Sequence, residues 1–341
     1  MTSSTLNSDP AEPRWAYVWA VAILLVAVVV GGWELLVRGA GLGPGYVDNK
    51  VLWADTRHQL NEAGRDAIVL LGASRMQRAI DVDTMSDRFG RPVFQLSIEG
   101  SSYLPLFENL AVDPRITGTV VVSIAPAFTF NRLLSQIDEG RQSLYLEYYG
   151  NQSHARRLEQ QLTLFLQGRL AFRAPGAAPA AVVPELIGSG EMPGRDYKTI
   201  FRNRVVHMDH DLIPGDQTDR GLASHYLRNV QPYTEAEFER VVNYIATIAA
   251  MLRQKGVDVY FVRLPSAGAV RSLENEFFPW EQFWGVLLQN VDATFVHFAD
   301  YPELDGLVSQ DGSHMDSSRI VEFTERLSDV LARNRLQPGS E

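Results

Sequence analysis

Ile68-Val69-Leu70-Leu71-Gly72-Ala73-Ser74-Arg75 orders the rest of the chain around it. A short run of β-branched and leucine residues reads as a buried parallel strand. A glycine follows that can turn sharply because it carries no Cβ. A helical pattern then runs from Met76 to Phe89. The Ser74 hydroxyl is therefore expected at the carboxyl end of a strand and the first turn of a helix. In open α/β sheets ligands bind there, and a helix N-terminus favours developing negative charge. The same residues also read as an ordinary connection in which Ser74 caps the helix.

Working outward, further strands are expected at Pro92–Ser97, Thr119–Ile124, Gly256–Val262 and Thr294–Phe298. Helical stretches separate them, including about Asn49 to Ala63 before the first strand, Glu235 to Lys255, and a closing helix from Ser317 to Asn334. Strands alternating with helices imply a parallel sheet covered on both faces. The fold class expected is α/β, a flavodoxin-like three-layer sandwich on a five-stranded parallel sheet. A long insertion, about 128–232, interrupts it after the third strand. It contains an amphipathic segment (Arg156 to Leu170), an Ala/Pro-rich loop (Ala174 to Pro184) and a polar stretch. A structureless loop of that length is implausible, so the insertion reads as partly helical and covering the strand ends.

Cysteine is absent from the 341 residues, which excludes disulfides, thiol nucleophiles and thiolate metal sites. A net charge of −10 argues against nucleic acid as a partner. Trp15 to Val37 is an apolar run long enough for a bilayer core, which takes about 20 residues. Trp15, Tyr17, Trp19 and Trp33 lie near its ends, where aromatic rings favour the membrane interface. No small-x-small cleavage site follows, so the run reads as an uncleaved anchor. The organisation expected is a tail (1–14), a transmembrane anchor (15–38), a glycine-rich linker (39–48), one domain (49–335) and a C-terminal tail (336–341). Arg14 precedes the span while Arg38, Lys50 and Arg57 follow it, which alone favours a cytoplasmic domain. A short tail before a long soluble domain favours export instead.

The last loop before the closing helix reads Gln310-Asp311-Gly312-Ser313-His314-Met315-Asp316. An Asp and a His three residues apart can pair carboxylate with imidazole Nδ1, fixing the tautomer of a general base for a serine nucleophile. An Asp-Gly turn with an exposed His is the plain alternative.

With Ser74, the glycine loop at Gly100 and Asp311-x-x-His314 in this order, the chain resembles the SGNH (GDSL-like) hydrolase superfamily. The resemblance implies Ser74 as nucleophile, Asp311 and His314 as orienting acid and base, and the amides of Ser74 and Gly100 as oxyanion donors. The third block departs: Ile124-Ala125-Pro126-Ala127-Phe128 stands where the family has an Asn donor, and Pro126 has no N–H. One lost donor costs on the order of 3 kcal/mol of transition-state stabilisation, unless Asn131 or the insertion replaces it.

The anchor, the Gly-x-Ser-Arg block and the missing Asn are together similar to membrane-anchored SGNH-like proteins of polysaccharide O-acylation, of the alginate O-acetylation or teichoic-acid D-alanylation kind. That narrower resemblance implies a single-pass inner-membrane protein whose domain is periplasmic or extracellular. The implied partners are a membrane-bound O-acyltransferase and a polysaccharide acceptor. The activity implied is acyl transfer or ester hydrolysis; a catalytically silent binding partner and a simple tethered esterase or lipase are the alternatives.

Arg75 could meet a substrate carboxylate or make an ion pair within its own helix. Arg263 and Ser266 follow a strand at the ligand edge and are candidate pocket residues, although Arg263 could equally pair with Glu274. Arg195, Lys198, Arg202 and Arg204 could hold an anionic glycan, with a solvated face the plainer reading. Phe277, Phe278, Trp280, Phe283 and Trp284 read as core packing more readily than as a sugar platform. His207-Met208-Asp209-His210-Asp211 reads as a solvated loop rather than a metal site. No cofactor and no metal are expected.

Overall fold

In the computed structural model, which describes residues 15–64, 66–192 and 194–336, the run Ile68–Leu71 is a strand with all four side chains buried. The strands in chain order are β1 (Ile68–Leu71), β2 (Val93–Gln95), β3 (Thr119–Ser123), β4 (Lys198–Ile200), β5 (Val206–Met208), β6 (Asp258–Arg263) and β7 (Thr294–His297). Five of them form a parallel sheet in the order β2-β1-β3-β6-β7, and β4 with β5 makes a separate antiparallel hairpin. Register aligns Ile68 with Val93, Leu71 with Val122, Ser123 with Val262, and Arg263 with His297. The expected α/β sandwich on a five-stranded parallel sheet is the observed architecture.

The period-two alternation of strands splits the core into two layers. Val69, Leu71, Val120, Val122, Val259 and Phe261 face one layer, with helices Leu104–Val112, Glu235–Gln254 and Trp284–Asn290. Ile68, Leu70, Val121, Tyr260, Val262 and Val296 face the other, with helices Val82–Phe89 and Ile320–Arg333. The chain leaves β1 toward β2 on one side and reaches β3 on the other. That reversal opens a crevice at the carboxyl ends of β1 and β3, where open α/β sheets bind ligands.

The single helix expected from Met76 to Phe89 is two, Ser74–Ala79 and Val82–Phe89. The reason is Asp81, whose side chain accepts from the Thr84 amide at 2.8 Å and starts a new helix. Within the insertion, helices Arg132–Gly150, His154–Gln167, Pro179–Ser189 and Asp219–Asn229 accompany the β4–β5 hairpin. The Ala/Pro-rich stretch expected to be a loop is partly helical because Pro179 takes the first turn, where its missing N–H costs nothing.

The chain divides into two compact units. One comprises 45–168 and 196–341 and contains the sheet and both core layers. The other combines residues up to Pro44 with Arg169–Arg195. The second unit contains helix Trp15–Gly39, long and apolar enough to cross a membrane. Its small core is Val37, Leu42, Ala171 and Ala177. The 1–14 tail and all of the 336–341 tail but Leu336 lie outside the described residues.

Candidate active site

Gly72 makes the turn that presents Ser74. Its φ is +151°, and a Cβ there would lie 2.9 Å from the Ser123 Cβ, so a side chain would push β1 and β3 apart. Ser74 then opens helix Ser74–Ala79, whose first amides have no intrahelical acceptor. The loop before the closing helix turns at Gly312 (φ +71°), where a Cβ would collide with the Asp219 carboxylate.

These turns bring Ser74 and His314 together across 240 residues: the Ser74 Oγ is 2.9 Å from His314 Nε2. His314 Nδ1 is 2.6 Å from Asp311 Oδ2. The other carboxylate oxygen accepts from the amides of Ser313 and His314 and from the Ser309 hydroxyl, each at 2.8 Å. An ionised Asp311 can only accept, so Nδ1 carries the hydrogen and Nε2 offers its lone pair to the Ser74 hydroxyl. Burial alone would raise the Asp311 carboxyl, but His314 and the amides that donate to it outweigh burial and hold it well below the usual carboxylate range. Burial, reinforced by the Arg78 guanidinium, pushes His314 down to about 4 despite Asp311. The imidazole is therefore neutral at neutral pH, the form a general base needs.

Ser74, Gly100 and His314 line a cavity of about 250 Å³ with Ala125, Phe128 and Leu222. The segment from Asp216 to Arg228 forms one wall, so the insertion covers the strand ends here. Helix Asp219–Asn229 is fastened by Asp219, which accepts from the Ala269 and Val270 amides at 3.0 and 3.1 Å. The Glu99 carbonyl accepts from Arg141 at 2.7 Å. In a trans peptide the N–H opposes the C=O, so this contact turns the Gly100 amide hydrogen away from Arg141.

Several sequence-derived candidates are engaged elsewhere. Asn131 is fully buried, donating to the Asn229 carbonyl at 2.9 Å and accepting from the Gln231 amide at 2.8 Å. It bridges the backbone next to Pro232 and is absent from the cavity wall. Arg263 and Ser266 are also off the cavity; both hold Glu274, Ser266 donating at 2.7 Å. Arg75 reaches the cavity wall, but it donates to Glu274 at 2.6 Å and to the Ser313 hydroxyl at 3.1 Å. Its ion pair is with helix Gly268–Phe277, not within its own helix. Burial raises the Glu274 carboxyl, and Arg263 and Arg75 more than offset it, taking it down to about 2.

Arg204 is likewise buried rather than solvated, bonded to Asp48 and to the carbonyls of Gln95 and Ser97. Phe278, Phe283 and Trp284 pack into the core, while Trp280 is half exposed. Among the described residues no group of three acidic or histidine side chains is placed to hold a metal ion.

Two residues at the site had no individual sequence signal. Arg78 lies against His314 and pairs with Glu99, which also accepts from Lys198 at 2.7 Å. Burial raises the Glu99 carboxyl, yet Arg78 and Lys198 bring it to about 2. The available clue was Arg75 and Arg78 three apart in a helix that had to be buried, since two buried cations require acidic partners.

No family model and no curated protein matches the chain. Solved structures do. A protein from Desulfitobacterium hafniense described as lipolytic and of the G-D-S-L family aligns with 78% of this chain and 99% of its own, at 11% identity and a TM-score of 0.34. A Bacteroides fragilis protein described as an acylhydrolase aligns over 83% and 96%, at 12% identity and a TM-score of 0.35. A Streptococcus pneumonia protein described as a platelet activating factor aligns over 92% and 99%, at 13% identity and a TM-score of 0.36. At such identities the chemistry of this chain rests on its own side chains.

Proposed function

We propose that this protein is a membrane-anchored serine acyltransferase or esterase that acts on O-acyl groups of a cell-surface polysaccharide. The observation that carries the chemistry is the unbroken relay from Asp311 to His314 to Ser74, at 2.6 and 2.9 Å, at the crevice between β1 and β3. Ser74 Oγ attacks the acyl carbonyl while His314 Nε2 takes its proton. The Ser74 and Gly100 amides bear the oxyanion. His314 returns the proton to the departing alcohol, which leaves an acyl-Ser74 ester. A sugar hydroxyl or water, deprotonated by His314, then takes the acyl group and frees Ser74.

The cavity of about 250 Å³ has room for a short acyl group such as acetyl. An apolar helix at residues 15–39 supports anchoring. The polysaccharide acceptor, a membrane-bound O-acyltransferase partner and a periplasmic or extracellular domain complete the reading, and they rest on the sequence resemblance. A second reading, a catalytically silent binding or assembly partner, is favoured by one observation: Asn131, which the sequence offered in place of the family's Asn donor, is bonded to backbone groups at 229 and 231 and is off the cavity wall.

A fluorophosphonate probe on the full-length, detergent-solubilised protein separates the two. The expected result is labelling lost in Ser74→Ala, with aryl acetate cleavage lost in parallel. An unlabelled wild-type protein, or ester cleavage unchanged in Ser74→Ala, would overturn the acyl-enzyme reading.

A further inference from the structure

Residues 174–190 read Ala-Pro-Gly-Ala-Ala-Pro-Ala-Ala-Val-Val-Pro-Glu-Leu-Ile-Gly-Ser-Gly and contain one ionisable side chain, Glu185. They form helix Pro179–Ser189, which ends on Gly190 in the left-handed conformation. Of this helix only Val182 is buried; Val183 and Leu186 are exposed, and Ile187 is 81% exposed. Scattered exposed apolar residues are ordinary, but a nearly uncharged helix with its apolar side chains outward needs a cover.

The helix Trp15–Gly39 fixes where this segment sits. The Trp33 indole N–H donates to the Ala177 carbonyl at 3.1 Å. The Glu34 carboxylate accepts from the Ala171 and Phe172 amides at 2.9 and 3.0 Å. Arg38 donates to the Arg169 carbonyl at 2.8 Å and pairs with Glu34. Trp33, Glu34 and Arg38 mark the end of the apolar run, where an indole favours the membrane–water boundary. Ala177 is held at that level, and helix Pro179–Ser189 begins two residues later.

We propose that helix Pro179–Ser189 is a second membrane contact, lying in the headgroup–acyl boundary with Val183, Leu186 and Ile187 in lipid. The inference rests on reading Trp15–Gly39 as a membrane span. The occupant is phospholipid, because the exposed apolar surface of the span continues at Leu35 and Leu36 beside the residues that hold this segment. Interfacial helices usually carry basic residues for anionic lipid. This one has none, so its contact is apolar and does not depend on anionic headgroups. Three hydrogen-bonding side chains on the span replace the affinity that a free interfacial helix must supply for itself.

The absence of native cysteine makes single-cysteine labelling direct. Full-length Ile187→Cys and Leu24→Cys, each carrying an NBD fluorophore, would be reconstituted into phosphatidylethanolamine–phosphatidylglycerol vesicles. Doxyl phosphatidylcholine labelled near the headgroup end of its chain, and aqueous iodide, are the two quenchers. The expected result is Ile187 quenched strongly by the shallow doxyl lipid and little by iodide, unchanged when phosphatidylglycerol is omitted. Ile187 quenched by iodide alone, while Leu24 is quenched by doxyl lipid, would overturn the second contact and leave the span standing. Ile187 shielded from both quenchers would mean that protein covers the helix, which also overturns it. Leu24 open to iodide would remove the span itself and the proposal with it.

Discussion

The Arg78 guanidinium lies over the face of the His314 imidazole, with Nη1 3.3 Å from Nδ1 and 3.2 Å from Nε2. Both ring nitrogens already have partners, Asp311 and Ser74. A nitrogen equidistant from both and in the ring plane would collide with Cε1, so Nη1 stands above the ring. A cation in that position disfavours the imidazolium, and its own charge is balanced by Glu99.

Activity against pH should follow from this. The base must be neutral, so kcat/KM falls as pH falls through the His314 pKa. With that value down at about 4, the rate should hold from neutral pH to well below 6. Arg78→Gln should move the acid limb upward toward the ordinary histidine value of about 6.5, while Arg78→Lys keeps it low. Rates of aryl acetate hydrolysis across pH 4–8 would check this; an acid limb that Arg78→Gln does not move would refute it.

Stability should also fall on mild acidification. His314 and His297 both sit near 4 in the folded protein, with burial the leading cause. Between about 6.5 and 4 the unfolded chain therefore binds more protons than the folded one, so unfolding free energy falls as pH drops through that window. Urea unfolding at pH 7 and pH 5 should show the lower midpoint at pH 5.

Asp311→Asn presents an amide to His314 Nδ1 and removes the charge that orients the ring. The expected loss is roughly a thousandfold or more in kcat, as for other serine triads. Fluorophosphonate labelling of Ser74 should slow in step while the fold persists. Circular dichroism together with labelling rates separates this outcome from unfolding.

Glu274 is a buried anion shared by Arg75 and Arg263. Glu274→Gln removes the buried charge that Arg75 and Arg263 share, a change worth about 3–5 kcal/mol. A large drop in thermal midpoint is expected, with Ser74 labelling impaired because Arg75 no longer steadies Ser313 beside His314.

Asn131→Ala tests the oxyanion accounting. Its amide joins backbone groups at 229 and 231, away from the cavity. Stability should fall by about 1–3 kcal/mol for the unsatisfied groups, with kcat/KM per folded molecule unchanged. A selective loss of kcat would instead make Asn131 a donor to the oxyanion.

What the residues determined by themselves was local. The runs at 68–71, 120–122 and 259–262 announce buried strands because a parallel strand covered on both faces is apolar along its buried length. Gly72 and Ser74, or Asp311 and His314, lie within one turn of each other, and turn chemistry is written in adjacent residues. The tertiary structure alone decided what crosses long intervals. Arg75 meets Glu274 199 residues away, and Arg78 finds the His314 ring. Arg263, Ser266 and Asn131 spend their hydrogen bonds on structure, and Ala171 and Phe172 return to Glu34. A buried charge must be paired, but nothing in its neighbours' identity says with whom. The partner is set by which loops the sheet order brings to the same edge, and that order emerges only when the whole chain packs.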